Sequence, residues 1–439
     1  MIGAPKGRKH LSADALFGIV RSGFADLQDD RLTDTDSTLA DALMSAFAMF
    51  SLNAPSLLAF DKERAEGNGA TIYGMQRVPC DTRMREVLDP VSPESFRPLG
   101  KSVLQQWPRG KALAAMRGLD GPYVLALDGT GYFSSKTIHC ASCLHQVHRH
   151  GAITSSPQML GAAILHPEKR EVMPLMPEPL VKHDGTEKND CARHAAKRFV
   201  AQWRQDYPHL KFIVTEDSLR SNAPPIQTLQ DHELRYLRGV KAGDHALLFQ
   251  QVQVPEPAGG VPWYERHARA AGIRHRFRCV NDVPLNASKA AVRVNFLEYG
   301  ERGQPKIQHC SWVTDLRVST RNVFHLRRGG RARWKIDNAT FNTLKNQGYH
   351  CAHHDGHGQQ NLSVVFAMLL LLAVVVDQTQ QPGCALFQAV WAKLGSKRLR
   401  WERMRALFYD YALASMQQLL EALFYGLQKP TPIVGMDFS

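Results

Sequence analysis

Two apolar runs of strand-forming residues, Tyr123-Val-Leu-Ala-Leu-Asp128 and Lys211-Phe-Ile-Val-Thr-Glu-Asp217, each end on an aspartate, and a helical pattern lies between them. Met159 to Leu165 and Glu171 to Leu175 read as a further pair of strands, with a turn through Pro167. The helical pattern runs from about Thr186 to Gln205 and carries Arg193, Lys197, Arg198 and Arg204. Strands, helix and strand in that order predict a mixed α/β sheet. Both aspartates should then lie near one end of adjacent strands, where open sheets hold their ligands.

Around this centre the 439 residues divide into several units, because a chain of this length exceeds one ordinary core. Residues 1–110 read as helical and as a possible DNA-end-binding domain. Thr38 to Asp41 forms a capping-box variant, after which Leu39, Leu43, Phe47 and Phe50 recur at helical spacing until Asn53-Ala-Pro55. Residues 111–225 make the first part of the core. Residues 226–325 read as a β-rich insertion that folds on its own, with extended runs at His245 to Val254, Ala291 to Tyr299 and Lys306 to Leu316. Residues 326–380 resume the core, and 381–439 form a helical C-terminal segment with a basic stretch from Lys393 to Arg405.

With 54 Lys and Arg against 41 Asp and Glu, the formal charge is +13, which favours a polyanionic partner such as nucleic acid. The apolar run Val364 to Val376 falls short of the roughly 20 residues that span a bilayer and predicts a buried core helix. No signal peptide or membrane anchor is read from the sequence. Eight cysteines without regular spacing predict a reducing, cytoplasmic setting rather than a disulfide framework.

A third carboxylate, Asp337, opens a helical pattern at Arg333-Trp-Lys-Ile-Asp337. Two-metal phosphoryl transfer needs carboxylates that hold a pair of divalent ions roughly 3.5 to 4 Å apart. Mg²⁺ takes a few carboxylates and fills its other positions with water and phosphate, so Asp128, Asp217 and Asp337 suffice as metal and catalytic residues. Glu216 is excluded because neighbours on a strand point to opposite faces. Arg333 shares a helical face with Asp337, either pairing with it or contacting a DNA phosphate. Lys345 falls about 80° further round an α-helix, so a long side chain is needed to reach the same groove as a phosphate contact.

Cys140 and Cys143 resemble half a zinc site, with His183 and Cys191 as candidate completions; the alternative is thiols packed beside a hairpin. His353, His354 and His357 are expected to cap or pack against the apolar helix rather than line a DNA groove. Trp263, between Pro262 and Tyr264, is a candidate for stacking on a base, whereas Trp312 suits a core strand.

Four segments together resemble bacterial insertion-sequence transposases of the DDE class, over about Leu39 to Asp377. They are Ala126-Leu-Asp-Gly-Thr-Gly-Tyr-Phe-Ser-Ser135, Asp184-Gly-Thr-Glu-Lys-Asn-Asp-Cys191, Trp312-Val-Thr-Asp-Leu316 and Arg333-Trp-Lys-Ile-Asp-Asn338 through Phe341-Asn-Thr-Leu-Lys-Asn-Gln-Gly-Tyr349 to Gly356-His-Gly358. The resemblance implies a ribonuclease-H-like core interrupted by a β-rich insertion, two Mg²⁺ or Mn²⁺ ions, and cleavage of transposon ends to free a 3′ hydroxyl that attacks target DNA. It also implies a homodimer on terminal inverted repeats and a nucleoid-associated location. Asp128 and Asp217 take the two Asp positions, and Asp337 stands where the class has Glu. In the related tyrosine-arginine-glutamate-lysine pattern Arg333 matches Arg, Gly330 replaces the tyrosine, and Lys345 is one residue off the usual spacing. The rival readings are an inactive DNA-binding relic, with Asp337 as the disabling change, and a nuclease that cuts RNA or hybrids without joining.

Overall fold

The computed structural model describes residues 10–426 apart from 30, 32–36, 64–65, 110–111, 120, 133, 138–139, 141–142, 148–150, 181–191, 218–222, 253–262, 269–271, 287–290, 303–308, 347, 350 and 352–356. Its strands are β1 (Tyr123–Gly131), β2 (Leu144–Val147), β3 (Ile153–Ser156), β4 (Gln158–Leu165), β5 (Val172–Leu180), β6 (Phe212–Thr215), β7 (Arg235–Gly239), β8 (Tyr264–Ala268), β9 (Ile273–Pro284), β10 (Arg293–Arg302) and β11 (His309–Thr314). Nine of them form one mixed sheet in the order β5-β4-β1-β6-β7-β11-β10-β9-β8, and β2 and β3 form a separate hairpin. β4 runs antiparallel to both β5 and β1; β1, β6 and β7 are mutually parallel, and the strands beyond β7 are antiparallel again. The strands of residues 264–314 therefore extend the central sheet through β11, which pairs with β7 at Trp312↔Gly239.

Alternation along β1 and β6 gives the sheet two apolar faces. Leu125, Leu127, Phe212 and Val214 face the helices Ala192–Asp206 and Ala223–Asp231. Val124 and Ala126 face the opposite way, into a core shared with the N-terminal helices, the Ile336 to Leu344 stretch and the C-terminal helices. The run read as extended at His245 to Val254 is instead the helix Ala246–Val252, which buries Leu248, Phe249 and Val252 on one side.

The helix Leu362–Gly383 outgrows the apolar run that announced it and, at 22 residues, is long and apolar enough to cross a membrane. Within the fold, 94% of its most apolar window is buried. Its N-terminus is capped from a distance. The Asp89 carboxylate accepts the backbone N–H groups of Gln359, Gln360, Asn361 and Leu362 at 2.9 to 3.2 Å. This corrects the expected cap: His357 is not the capping group, and His353 and His354 lie outside the described residues. At the predicted capping box, Thr38 Oγ1 accepts the Asp41 N–H at 3.0 Å, but the Asp41 carboxylate turns to the N–H groups of Gln76 and Arg77.

Candidate active site

The parallel register of β1 and β6 ends at Ala126↔Thr215, and Asp128 and Asp217 each stand two residues further on. The register thus brings Asp128, still on β1, and Asp217, just past β6, to the same end of adjacent parallel strands. Glu216 is buried in an ion pair with Arg238, which engages its carboxylate, although it borders the same cavity as Asp217. Asp128 remains held in the sheet by its pairing with Gly161 of β4, and its Oδ1 accepts the Gly129 N–H at 2.8 Å.

The third acid arrives on a helical stretch that crosses this face. It consists of the α-helix Val323–Ala332, a π-helical turn Ile336–Phe341 and a short helix Asn342–Asn346. Arg333 Nη1 lies 3.0 Å from Asp128 Oδ2 and 3.3 Å from Asp337 Oδ2. One guanidinium therefore joins the strand acid to the helix acid. The Asp128 side chain is 18% exposed and that of Asp337 45%, so Asp337 is the more solvated of the two.

The π-turn also explains how Lys345 reaches the group. An i→i+5 turn takes up one residue more than an i→i+4 turn, which rotates everything after it back by about 100°. Lys345, about 80° away on a plain α-helix, returns to within about 20° of Asp337. Its Nζ donates to Thr130 Oγ1 at 2.8 Å, two residues along β1 from Asp128. The stretch sits close to the sheet because Gly161 has no side chain: a Cβ there would lie 2.5 Å from Phe341 Cε1. Lys335 ties the same stretch to the β4–β5 turn by donating to the carbonyls of His166, Pro167 and Lys169, and its burial lowers the ammonium pKa.

Beside the acids opens a cavity of about 670 Å³, lined by Asp217 and Arg333 together with Lys241, Arg331, Trp312 and Trp334. Trp334 is 48% exposed and Trp312 is buried in β11. Lys241, Arg331, Trp334 and Thr130 were not singled out from the sequence. Their only signal is adjacency, to the end of β7 for Lys241 and to motif residues for the others. Gly330 also borders the cavity, and a Cβ there would lie 2.4 Å from Trp312 Nε1, so the Trp312 indole occupies the space a larger side chain at 330 would need. Trp263 is not part of this lining. It precedes β8, the outermost strand, and its ring carries the guanidinium groups of Arg276 and Arg278 at 4.7 and 4.9 Å.

Cys140 and Cys143 come together as expected of half a site, while His183 and Cys191 lie outside the described residues.

The carboxylates Asp128, Asp217 and Asp337 are hard oxygen donors of the kind Mg²⁺ and Mn²⁺ take, with no soft ligand among them. Arg333 stands as a cation between two of these carboxylates, so the site already accommodates positive charge between Asp128 and Asp337.

Comparison with known proteins adds little. A family model described as polyglycine hydrolase-like, structural repeat, matches residues 338–369, a short piece that begins one residue after Asp337. No curated protein matches the chain. Among solved structures, the crystal structure of the NurA nuclease from Sulfolobus solfataricus is similar over 55% of this chain and 86% of its own, at a TM-score of 0.24 and 9% identity. At that TM-score the overlay carries no weight for fold or activity.

Proposed function

We propose that this chain is a DDE-class DNA transposase that cleaves transposon ends and joins the freed 3′ hydroxyl to target DNA. The observation that carries the reading is that Arg333 bridges Asp128 of β1 and Asp337 of the helical stretch while lining one cavity with Asp217, two residues past β6, although the strands of residues 264–314 separate these acids in sequence. That arrangement, on parallel strands β1 and β6 of a mixed sheet, supports a ribonuclease-H-like core. Asp128, Asp217 and Asp337 would hold two Mg²⁺ or Mn²⁺ ions, which when bound activate the attacking oxygen and stabilise the leaving one. Arg333 and Lys345 provide positive charge to fix the scissile phosphate against the acids. Lys241 and Arg331 extend that charge along the cavity, and exposed Trp334 offers a face for a base. The paired ends would be handled by a homodimer on DNA.

The test is cleavage of labelled duplexes that carry the inverted repeats flanking the reading frame, with Mg²⁺ or Mn²⁺. Losing a group that only supports a metal ligand costs about 10–100-fold, so Asp128→Asn and Asp217→Asn should each cost more than about 100-fold while DNA binding persists. Wild-type protein that binds these ends without cutting, and cuts as Asp337→Glu, would identify an inactive relic. Cutting of an RNA–DNA hybrid but not of repeat DNA would identify a nuclease without joining activity.

A further inference from the structure

Cys140 and Cys143 stand just before β2, and His357 lies 214 positions beyond Cys143 in the chain, on the segment that leads into the helix Leu362–Gly383. All three side chains are buried, and their donor atoms lie within 4.8 Å of one another. The two sulfurs are 3.5 Å apart and unbonded, and Cys143 Sγ lies 2.9 Å from His357 Nε2. A disulfide would bring the sulfurs to about 2.05 Å. Tetrahedral zinc, with Zn–S bonds of about 2.3 Å, sets its sulfurs roughly 3.8 Å apart, close to the spacing seen here.

We propose that Cys140, Cys143 and His357 hold a structural zinc ion. Two thiolates and an imidazole are the soft and borderline donors that zinc prefers to the hard ions suited to the carboxylates. One further protein donor would close the tetrahedron, as in structural zinc sites. The site ties together two parts of the candidate active site that the chain itself leaves far apart. The cysteines follow β1, which carries Asp128, and His357 follows the stretch that carries Asp337. His357 is also held on its own side, because Asp89 fixes the backbone from Gln359 to Leu362 immediately after it. The inference stands independently of the transposase reading.

The experiment is the metal content of the full-length protein, purified under reducing conditions without chelator and measured by mass spectrometry of the element. One zinc per chain is expected. Cys143→Ser and His357→Ala should each lose it, whereas Cys80→Ser, at a cysteine outside the cluster, should keep it. Replacement by Co²⁺ should give thiolate-to-metal charge-transfer absorption in the wild type. Wild-type protein with no zinc and no cobalt absorption, or with a Cys140–Cys143 disulfide found by peptide mass, overturns the proposal without any variant having to fold.

Discussion

Arg333 sets the geometry of the candidate site more than any single acid does, since it contacts both Asp128 and Asp337. Under the proposed transposase reading its charge would be needed at phosphate, and Lys345, here bonded to Thr130, would follow it. Each phosphate contact by a cationic side chain contributes about 0.9 to the slope of log affinity against log salt. Lys345→Met is therefore expected to lower the slope for duplex binding by about 0.9, with affinity reduced nearly equally for specific and unrelated sequences, as a titration between 50 and 200 mM salt would read it. An unchanged slope would remove Lys345 from the DNA interface. The Arg333–Asp337 contact was legible in the sequence because i,i+4 spacing puts both residues on one helical face. The arrival of Lys345 was not, because nothing in Ile336 to Phe341 announces a π-turn. Nor does a glycine at 330 reveal from sequence that Trp312 fills the space beside it.

At the level of elements, the helix Leu362–Gly383 has no capping bond from its own N-cap Asn361 and depends on Asp89, which follows the helix Asp81–Leu88. A lost cap of this kind costs roughly 0.5–2 kcal/mol. Asp89→Ala serves several N–H groups at once and should fall at the upper end, about 2 kcal/mol, seen as a lower urea midpoint with unchanged m value. Asp89→Asn, which keeps an acceptor oxygen, should recover part of the loss; equal stability of Ala and wild type would mean that water caps the helix as well. Strands β1, β4, β6 and β10 could be read from the sequence because their apolar runs are continuous or cleanly alternating. β9 could not, since Arg274, Arg276 and Arg278 give it a charged face whose ion pairs with Glu265 and Glu298 form only on pairing with β8 and β10. The Asp89 cap was likewise invisible, for a carboxylate some 270 positions upstream leaves no local pattern.

Across the whole molecule, one apolar core runs from Ala13 through the helix Leu362–Gly383 to Leu423, and the first hundred residues bury their apolar faces in it. Phe50 packs edge-on against Phe366 with ring centroids 5.9 Å apart, and Trp107 donates to Thr379 Oγ1 at 2.7 Å. The C-terminal helices close the same core from the other side. Asn68 Nδ2 donates to the carbonyls of Phe408 and Tyr411, Arg405 to those of Leu52 and Asn53, and Asp14 accepts the Met416 N–H. A fragment of residues 1–110 would lose the partners on which these faces pack, Phe366, Thr379 and the C-terminal helices, and leave them exposed to water. Expressed alone, it is expected to show helical circular dichroism without a cooperative thermal transition, whereas the full chain melts cooperatively. A sharp transition in the fragment would show instead that the N-terminal helices fold as a unit of their own. The exposed Arg398 pairs with Glu402, and Arg400 is buried against Asp377, so the basic Lys393 to Arg405 stretch belongs in part to this closure.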